Sequence, residues 1–308
     1  MKINILISLF LGILFASKNV DYVKVVDSNI ETSTIEFNLE SFDLEPIQVE
    51  NQLMYKATFL KGASFLNEGA PDLQKYSKSI IIPDEAEMSF RVISSKYEDY
   101  ENILIAPSKG NLSRLVDPSD IPFSKGVEYA QNNFFPNDII NLQNPYILKN
   151  LRGQTVDFHP IQYNPISKKL RVYSQIIVEV YNNGSSKSNI LNRKSSKQKL
   201  AAEFKNIYEG HFINFNSDNR FEYLNDQGNM LIISSSLFLD SMNPFVEWKN
   251  RKGIPTEIIS ISDIGSSSSA IKTFVEDYYQ EKGLTFLLLV GDVAQIPTPS
   301  INGRSEER

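Results

Sequence analysis

Two histidines and no cysteine set the first limits on chemistry in this chain. Without a thiol there is no thiolate nucleophile and no thiolate metal ligand. His159 and His211 each lack a second histidine at ligand spacing, so both read as packing residues. Neither a Gly-x-Ser-x-Gly elbow nor a Gly-x4-Gly-Lys phosphate loop occurs. Asp292, after an apolar run and Gly291, is the strongest single polar candidate. An acid there either works at the carboxyl end of a strand, where α/β sites form, or caps its own loop. Ser234 to Ser236 and Ser260 to Asp263 hold equivalent places. The run Ser266 to Ser269 reads as a loop with a helix cap at Ser269. Trp248 reads as core.

The elements that position these residues fall into two kinds. From Val23 to Asn182 the pattern is that of short strands. Val23–Val25 and Ile35–Leu39 alternate apolar and polar residues, as half-buried strands do. Tyr55–Leu60, Ser79–Pro83, Glu87–Ile93, Asn102–Ala106, Thr155–Tyr163 and Lys169–Tyr181 follow. Met88, Phe90 and Val92 share one face. Many short strands with such turns predict a sandwich-like β-rich domain over 18–183. Residues 107–150 are richer in Pro, Asn and Ser, and a loop region that long inside a compact domain is usually functional or mobile.

Residues 184–200 are basic and Ser-rich, which predicts a solvated tether and, at Arg193, an exposed site for trypsin-like cutting. Phe204, Ile207 and Tyr208 suggest a short helix between Ala201 and Phe215. From Met230 the pattern becomes βαβαβ. Met230–Ile233, Glu257–Ile259 and Phe286–Val290 are apolar runs. Phe238, Met242, Phe245 and Val246, then Ile271, Phe274, Val275, Tyr278 and Tyr279, recur at helical spacing. That predicts a parallel sheet with right-handed crossovers over 230–308. Three strands leave much apolar surface in water, so the α/β domain is expected to be incomplete here.

Composition fits this division. Apolar residues make up 41% and charged residues 22%, enough for a real core. The net charge of −6 argues against a nucleic-acid partner, which needs a basic face. At the N-terminus, Lys2, apolar Ile3–Phe15 and Ala16-Ser17 predict a cleavable export signal over 1–17. It is shorter than the ~20 apolar residues a membrane span needs, and no later segment is expected to span. An exported chain without cysteine has no disulfides, so burial must stabilise it.

Several motifs resemble the gingipain family of cysteine peptidases. They are Trp248-Lys-x-x-Lys-Gly253 and Leu288-Leu-Val-Gly-Asp-x-x-x-Ile-Pro297, with Ala270–Tyr279 between them. Upstream, Gly69-Ala-Pro-Asp-Leu73, Ile80-Ile-Ile-Pro83 and Val156–Pro165 resemble the matching propeptide. The resemblance implies a secreted or cell-surface zymogen with a caspase-like catalytic domain and a His–Cys pair. In the family both catalytic residues follow the Gly-Asp strand, so none is expected in this chain, which should be inactive alone.

The resemblance further implies that the propeptide covers the cleft of its own peptidase domain, an intramolecular partner, and that proteins are the substrates of the full-length enzyme. Residues 107–135 are the candidate covering segment. Lys125, between Phe123 and Tyr129, is the candidate to enter a specificity pocket. The linker and activation segment is taken as 184–229. Arg220 is the candidate cut ahead of Met230, and Arg193 is its rival. No cofactor is expected in this chain, although the complete family domain can bind calcium. The alternative reading is a non-enzymatic exported β-sandwich that binds or inhibits. A nucleotide-binding α/β protein fails for want of a glycine-rich loop after the first strand.

Overall fold

The computed structural model describes residues 21–192, 202–217 and 228–299. The expected export signal, Arg193 and Arg220 lie outside them. In chain order the β-rich part holds β1 (Val23–Ser28), β2 (Thr32–Asn38), β3 (Asp43–Val49), β4 (Gln52–Thr58), β5 (Ala63–Ser64) and β6 (Gln74–Ile81). Then come β7 (Ala86–Tyr100), β8 (Ile140–Leu142), β9 (Tyr146–Leu148), β10 (Leu151–Phe158), β11 (Ile161–Asn164) and β12 (Lys169–Ser185).

These strands form two open antiparallel sheets and a β3–β4 hairpin. In the first sheet β7 pairs with one side of β12 almost throughout, while β2 and β11 share the other side. The second sheet runs β5-β6-β10-β8, with β9 also on β10. Between them lie Ile35, Phe37, Ile176, Val178 and Val180 from the first sheet and Ile80, Val156 and Phe158 from the second, all without exposed surface. Phe37 stacks on Phe158 across the gap at 5.2 Å. Each such side chain contributes about 1.5–3 kcal/mol by leaving water.

Three local expectations change. Asn102–Ala106 is not a strand but one bridge, in which Ile105 pairs with Tyr55, because its other backbone bonds go to scattered partners, Lys168 and Asp72. β7 runs to Tyr100, past Ile93; its polar half is held by backbone pairing to β12 and not by burial. β3 is a further strand, masked in the sequence by Pro46 and its acidic residues.

The second sheet is covered on both faces at the end where Ile81 and Leu151 lie, while Ser77 and Asn141 stay exposed. Ile81 and Leu151 point away from the core into a second cluster closed by α1 (Ala202–His211) and the chain after it. Tyr208, Phe212 and Phe215 are buried there. Phe212 lies so close over β10 that a Cβ on Gly153 would come within 2.5 Å of its ring. Asn214 clasps the edge of β6: the Ile81 N–H donates to Asn214 Oδ1 at 2.7 Å, and Asn214 Nδ2 donates to the Ile81 carbonyl at 3.0 Å.

The tether expected from Gly184 is not free at its start, because Arg152 ties its first residues down. This fully buried guanidinium has four carbonyl acceptors. Pro83 and Ala86 precede or open β7, and Ser188 and Asn189 follow β12. The Ser186 and Leu191 amides donate to the Glu85 and Asp84 carbonyls.

The remaining part is parallel. It comprises β13 (Met230–Ser234), α2 (Leu239–Arg251), β14 (Thr256–Ser260), α3 (Ile261–Ile264), α4 (Ser268–Lys282) and β15 (Phe286–Val290). The sheet order is β14-β13-β15, with β13 buried throughout. Met230 and Ile232 face α2, and Leu231 and Ile233 face α4, so alternation along one strand serves two helix layers. Leu287 and Leu289 on β15 stay 43% and 42% exposed.

Trp248 is not core. It is 47% exposed, lying off the Met242–Phe245–Val246 face, with Lys249 and Lys252 over its ring. The cap of α4 is Ser267, whose Oγ accepts the Ala270 N–H, which leaves Ser269 inside the helix.

Replacing Arg152 with alanine strands several buried carbonyls. Arg152→Ala is expected to lower stability by about 2–4 kcal/mol. Hydrogen exchange should report early loss of protection at the Ser186 and Leu191 amides.

Candidate functional site

The carboxyl ends of the parallel strands carry a row of hydroxyls. Ser234 is buried, and its Oγ donates to the Ser235 carbonyl at 3.0 Å. Ser236, Ser260 and Ser262 are linked through their hydroxyls at 3.2 and 2.7 Å. Ser260 also caps α3. The histidines have their partners elsewhere, His159 with Phe65 and the Asp138 carbonyl and His211 with Tyr146. The row shapes loops and contains no nucleophile–base pair.

Asp292 sits in the turn after β15. Its carboxylate accepts the Val293 N–H, and its backbone carbonyl accepts the Gln295 and Ile296 amides at 2.9 and 2.8 Å. Gly291 turns the chain at φ +152°, where a Cβ would meet Ile296 at 2.8 Å. Ile296 is thereby buried under the sheet. The side chain of Asp292 remains exposed at the strand end.

Residues 107–135 form a loop with a fixed base. Gly69 and Gly126 pinch it closed, with the Gly126 N–H donating to the Gly69 carbonyl at 2.8 Å and the Gly69 N–H to the Ser108 carbonyl at 2.9 Å. A Cβ on Gly69, at φ +79°, would meet the Gly126 nitrogen at 2.9 Å. Tyr129 plugs the base, its hydroxyl donating to the Ile105 carbonyl at 2.8 Å, and burial pushes its phenol pKa well up. Lys109 donates to the Pro118 carbonyl at 2.6 Å and lies 4.2 Å from the Phe123 ring centroid. Asp117 caps a short turn at Pro118–Asp120.

Around these anchors several side chains face water. Leu115 is 89% and Val127 71% exposed, and Lys125 is exposed with its ammonium 5.6 Å from the Tyr129 ring centroid. Arg114, Lys125, Leu115 and Val127 thus stand exposed on a segment with a fixed base.

The histidines have local partners. His159 is buried against Phe65, with Nδ1 donating to the Asp138 carbonyl at 2.6 Å. His211 Nε2 lies 2.6 Å from the Tyr146 hydroxyl, joining α1 to β9. Beside His159, buried Asp157 binds Lys75 at 2.7 Å, Ser77 at 2.6 Å and Gln143. Burial pushes its carboxyl up, but these bonds outweigh burial and hold its pKa below the ordinary range. Among the described residues no three His, Asp or Glu side chains converge as metal ligands would, so no ligand is assigned to calcium. Among the same residues no helix is long and apolar enough to cross a membrane.

Arg152, whose acceptors are all backbone, was not picked out in the sequence, and of the packing face of α1 and the chain after it Phe212 was missed. Phe204, Tyr208 and Phe212 recur every fourth residue, the signal for that face. Ile207, grouped with them by position, is 50% exposed.

Fold and site together define a class: a β-rich domain with a projecting, firmly based loop, followed in one chain by the opening of a parallel α/β domain. The comparisons agree with that class. The family model Propeptide_C25 matches residues 16–220, and Peptidase family C25 matches residues 223–306. Gingipain R1 of Porphyromonas gingivalis is 36% identical over 91% of this chain, and gingipain R2 is 33% identical over 91%. This chain spans 29% and 39% of their lengths. The solved complex of P. gingivalis RgpB pro- and mature domains contains a chain that matches with TM-score 0.59 and 31% identity. That match covers 64% of this chain and 98% of the solved one. The chain belongs to the gingipain family of cysteine peptidases, as its propeptide followed by the start of its peptidase domain.

Burial lowers the pKa of His159, against opposing pulls from the Asp138 carbonyl and Asp157. The unfolded chain takes this proton near pH 6.5 and the folded site only below that. Its contribution is therefore full above pH 6.5 and declines as pH falls toward the folded pKa. Denaturant midpoints of the β-rich domain are expected to drop across that interval. His159→Gln should remove that part of the decline and leave the more acidic loss from Asp157.

Proposed function

We propose that the full-length protein is a secreted cysteine-type endopeptidase made as a latent precursor, and that residues 18 to about 217 hold it latent. The observation that supports this most is the match of the β-rich part to a chain of a pro–mature domain complex, nearly end to end. Export through the N-terminal signal brings the precursor outside the cell, where proteins are its substrates. The thiol nucleophile must come from outside these 308 residues, which contain no cysteine.

Latency follows from occupancy. A segment tethered to the enzyme it blocks acts at high effective concentration and excludes substrate until the tether is cut. The loop 107–135 is the covering segment, and Lys125 is the residue it presents to the specificity pocket. Cutting at Arg220, ahead of β13, frees the mature N-terminus.

Added in trans to the mature peptidase, the β-rich domain is expected to inhibit, and Lys125→Ala to weaken inhibition at least ten-fold. Unchanged inhibition by that variant would remove Lys125 from the role. N-terminal sequencing of the processed enzyme is expected to begin just after Arg220; a start within 194–200 would transfer the cut to the Arg193 segment.

A further inference from the structure

Phe204 faces two ways. On one side it belongs to the outer cluster of the β-rich part, with the Tyr208 ring at 5.9 Å and the Lys149 ammonium 3.7 Å from its own ring centroid. On the other side it stacks on Phe286, the first residue of β15, at 6.3 Å and 23°. The three parallel strands run from Met230, Thr256 and Phe286 to Ser234, Ser260 and Val290. Phe286 therefore lies at the amino end of the sheet. The end where Asp292 sits and where α/β sites form is the opposite one, roughly 15 Å away along a five-residue strand.

The element that carries Phe204 is anchored from behind. Tyr208, Phe212 and Phe215 are buried against Ile81 and Leu151, Phe212 bridges to Ser79, and Asn214 holds Ile81 and Ser33. A ring presented by an already ordered element makes its contact without a further ordering cost.

We propose that α1 is a bracket by which the β-rich part grips the peptidase domain at the amino end of its sheet, apart from any cover at the catalytic end. The proposal rests on the latency reading and adds a second point of hold to it. It also implies that a chain break ahead of α1 leaves the bracket seated, whereas a break beyond residue 217 leaves it holding by contacts alone.

The test uses the full-length precursor with a recognition sequence for a site-specific protease inserted between residues 217 and 228. After cutting, separation of the two fragments is followed by light scattering on dilution. Phe204→Ala and Phe286→Ala are each expected to speed separation about three- to ten-fold, the range for one aromatic pair. The double variant should be no faster than the faster single one, because both remove the same stack. Phe204→Tyr keeps the ring and should separate at the unmodified rate, which distinguishes loss of the stack from loss of the helix. Unchanged rates in the single variants, or independent effects that multiply in the double one, would overturn the bracket. Fragments that stay joined in an active enzyme would instead refute latency while leaving the bracket standing.

Discussion

The β-rich part depends on one end of its second sheet being buried on both faces. Antiparallel sheets commonly leave one face to water. Here the outward face of β6 and β10 is covered by α1 and Phe212–Phe215 around Ser79, Ile81 and Leu151. The sequence makes this possible by alternation: Ile80 goes inward and its neighbour Ile81 outward. Gly153 lets Phe212 come down onto the strand. With no disulfide available, noncovalent burial must keep the segment after the tether attached to the domain before it.

That arrangement separates two tasks. The sandwich supplies a stiff platform, and the loop 107–135 projects from it on a base closed by Gly69, Gly126 and Tyr129. The outer face of the same platform reaches the parallel sheet through Phe204. Buried polar groups hold the platform's margins. Arg152 gathers carbonyls from both sides of a long crossing, and Asp157 on β10 holds Lys75 and Ser77 of β6 and Gln143, the residue after β8. A buried charge is tolerable only when its hydrogen bonds are met, and both groups meet theirs.

Much of this was legible in the residues. β13 shows as a continuous apolar run because it is covered on both faces, and α4 shows by its period. The sandwich and the parallel order followed from such patterns. What escaped depends on tertiary pairing. The far half of β7 is polar and exposed, and only β12 makes it a strand. Trp248 looks like core by type and is placed outside by the phase of α2. Residues 186–191 look like a tether until Arg152, distant in sequence, takes their carbonyls. The candidate site divides in the same way. Asp292 was found by position and sits in its turn. Lys125 was chosen through a resemblance, and its exposure beside the fixed base of the loop is a property of the fold.

Latency itself is tested most directly on the uncut full-length precursor. Thiol-sensitive peptide cleavage should stay at background while the chain is intact, and should rise in proportion to the fraction cut between residues 217 and 228 and separated. Full activity in the intact precursor, unchanged on cutting, would contradict the reading of the β-rich part as the element that holds the enzyme off.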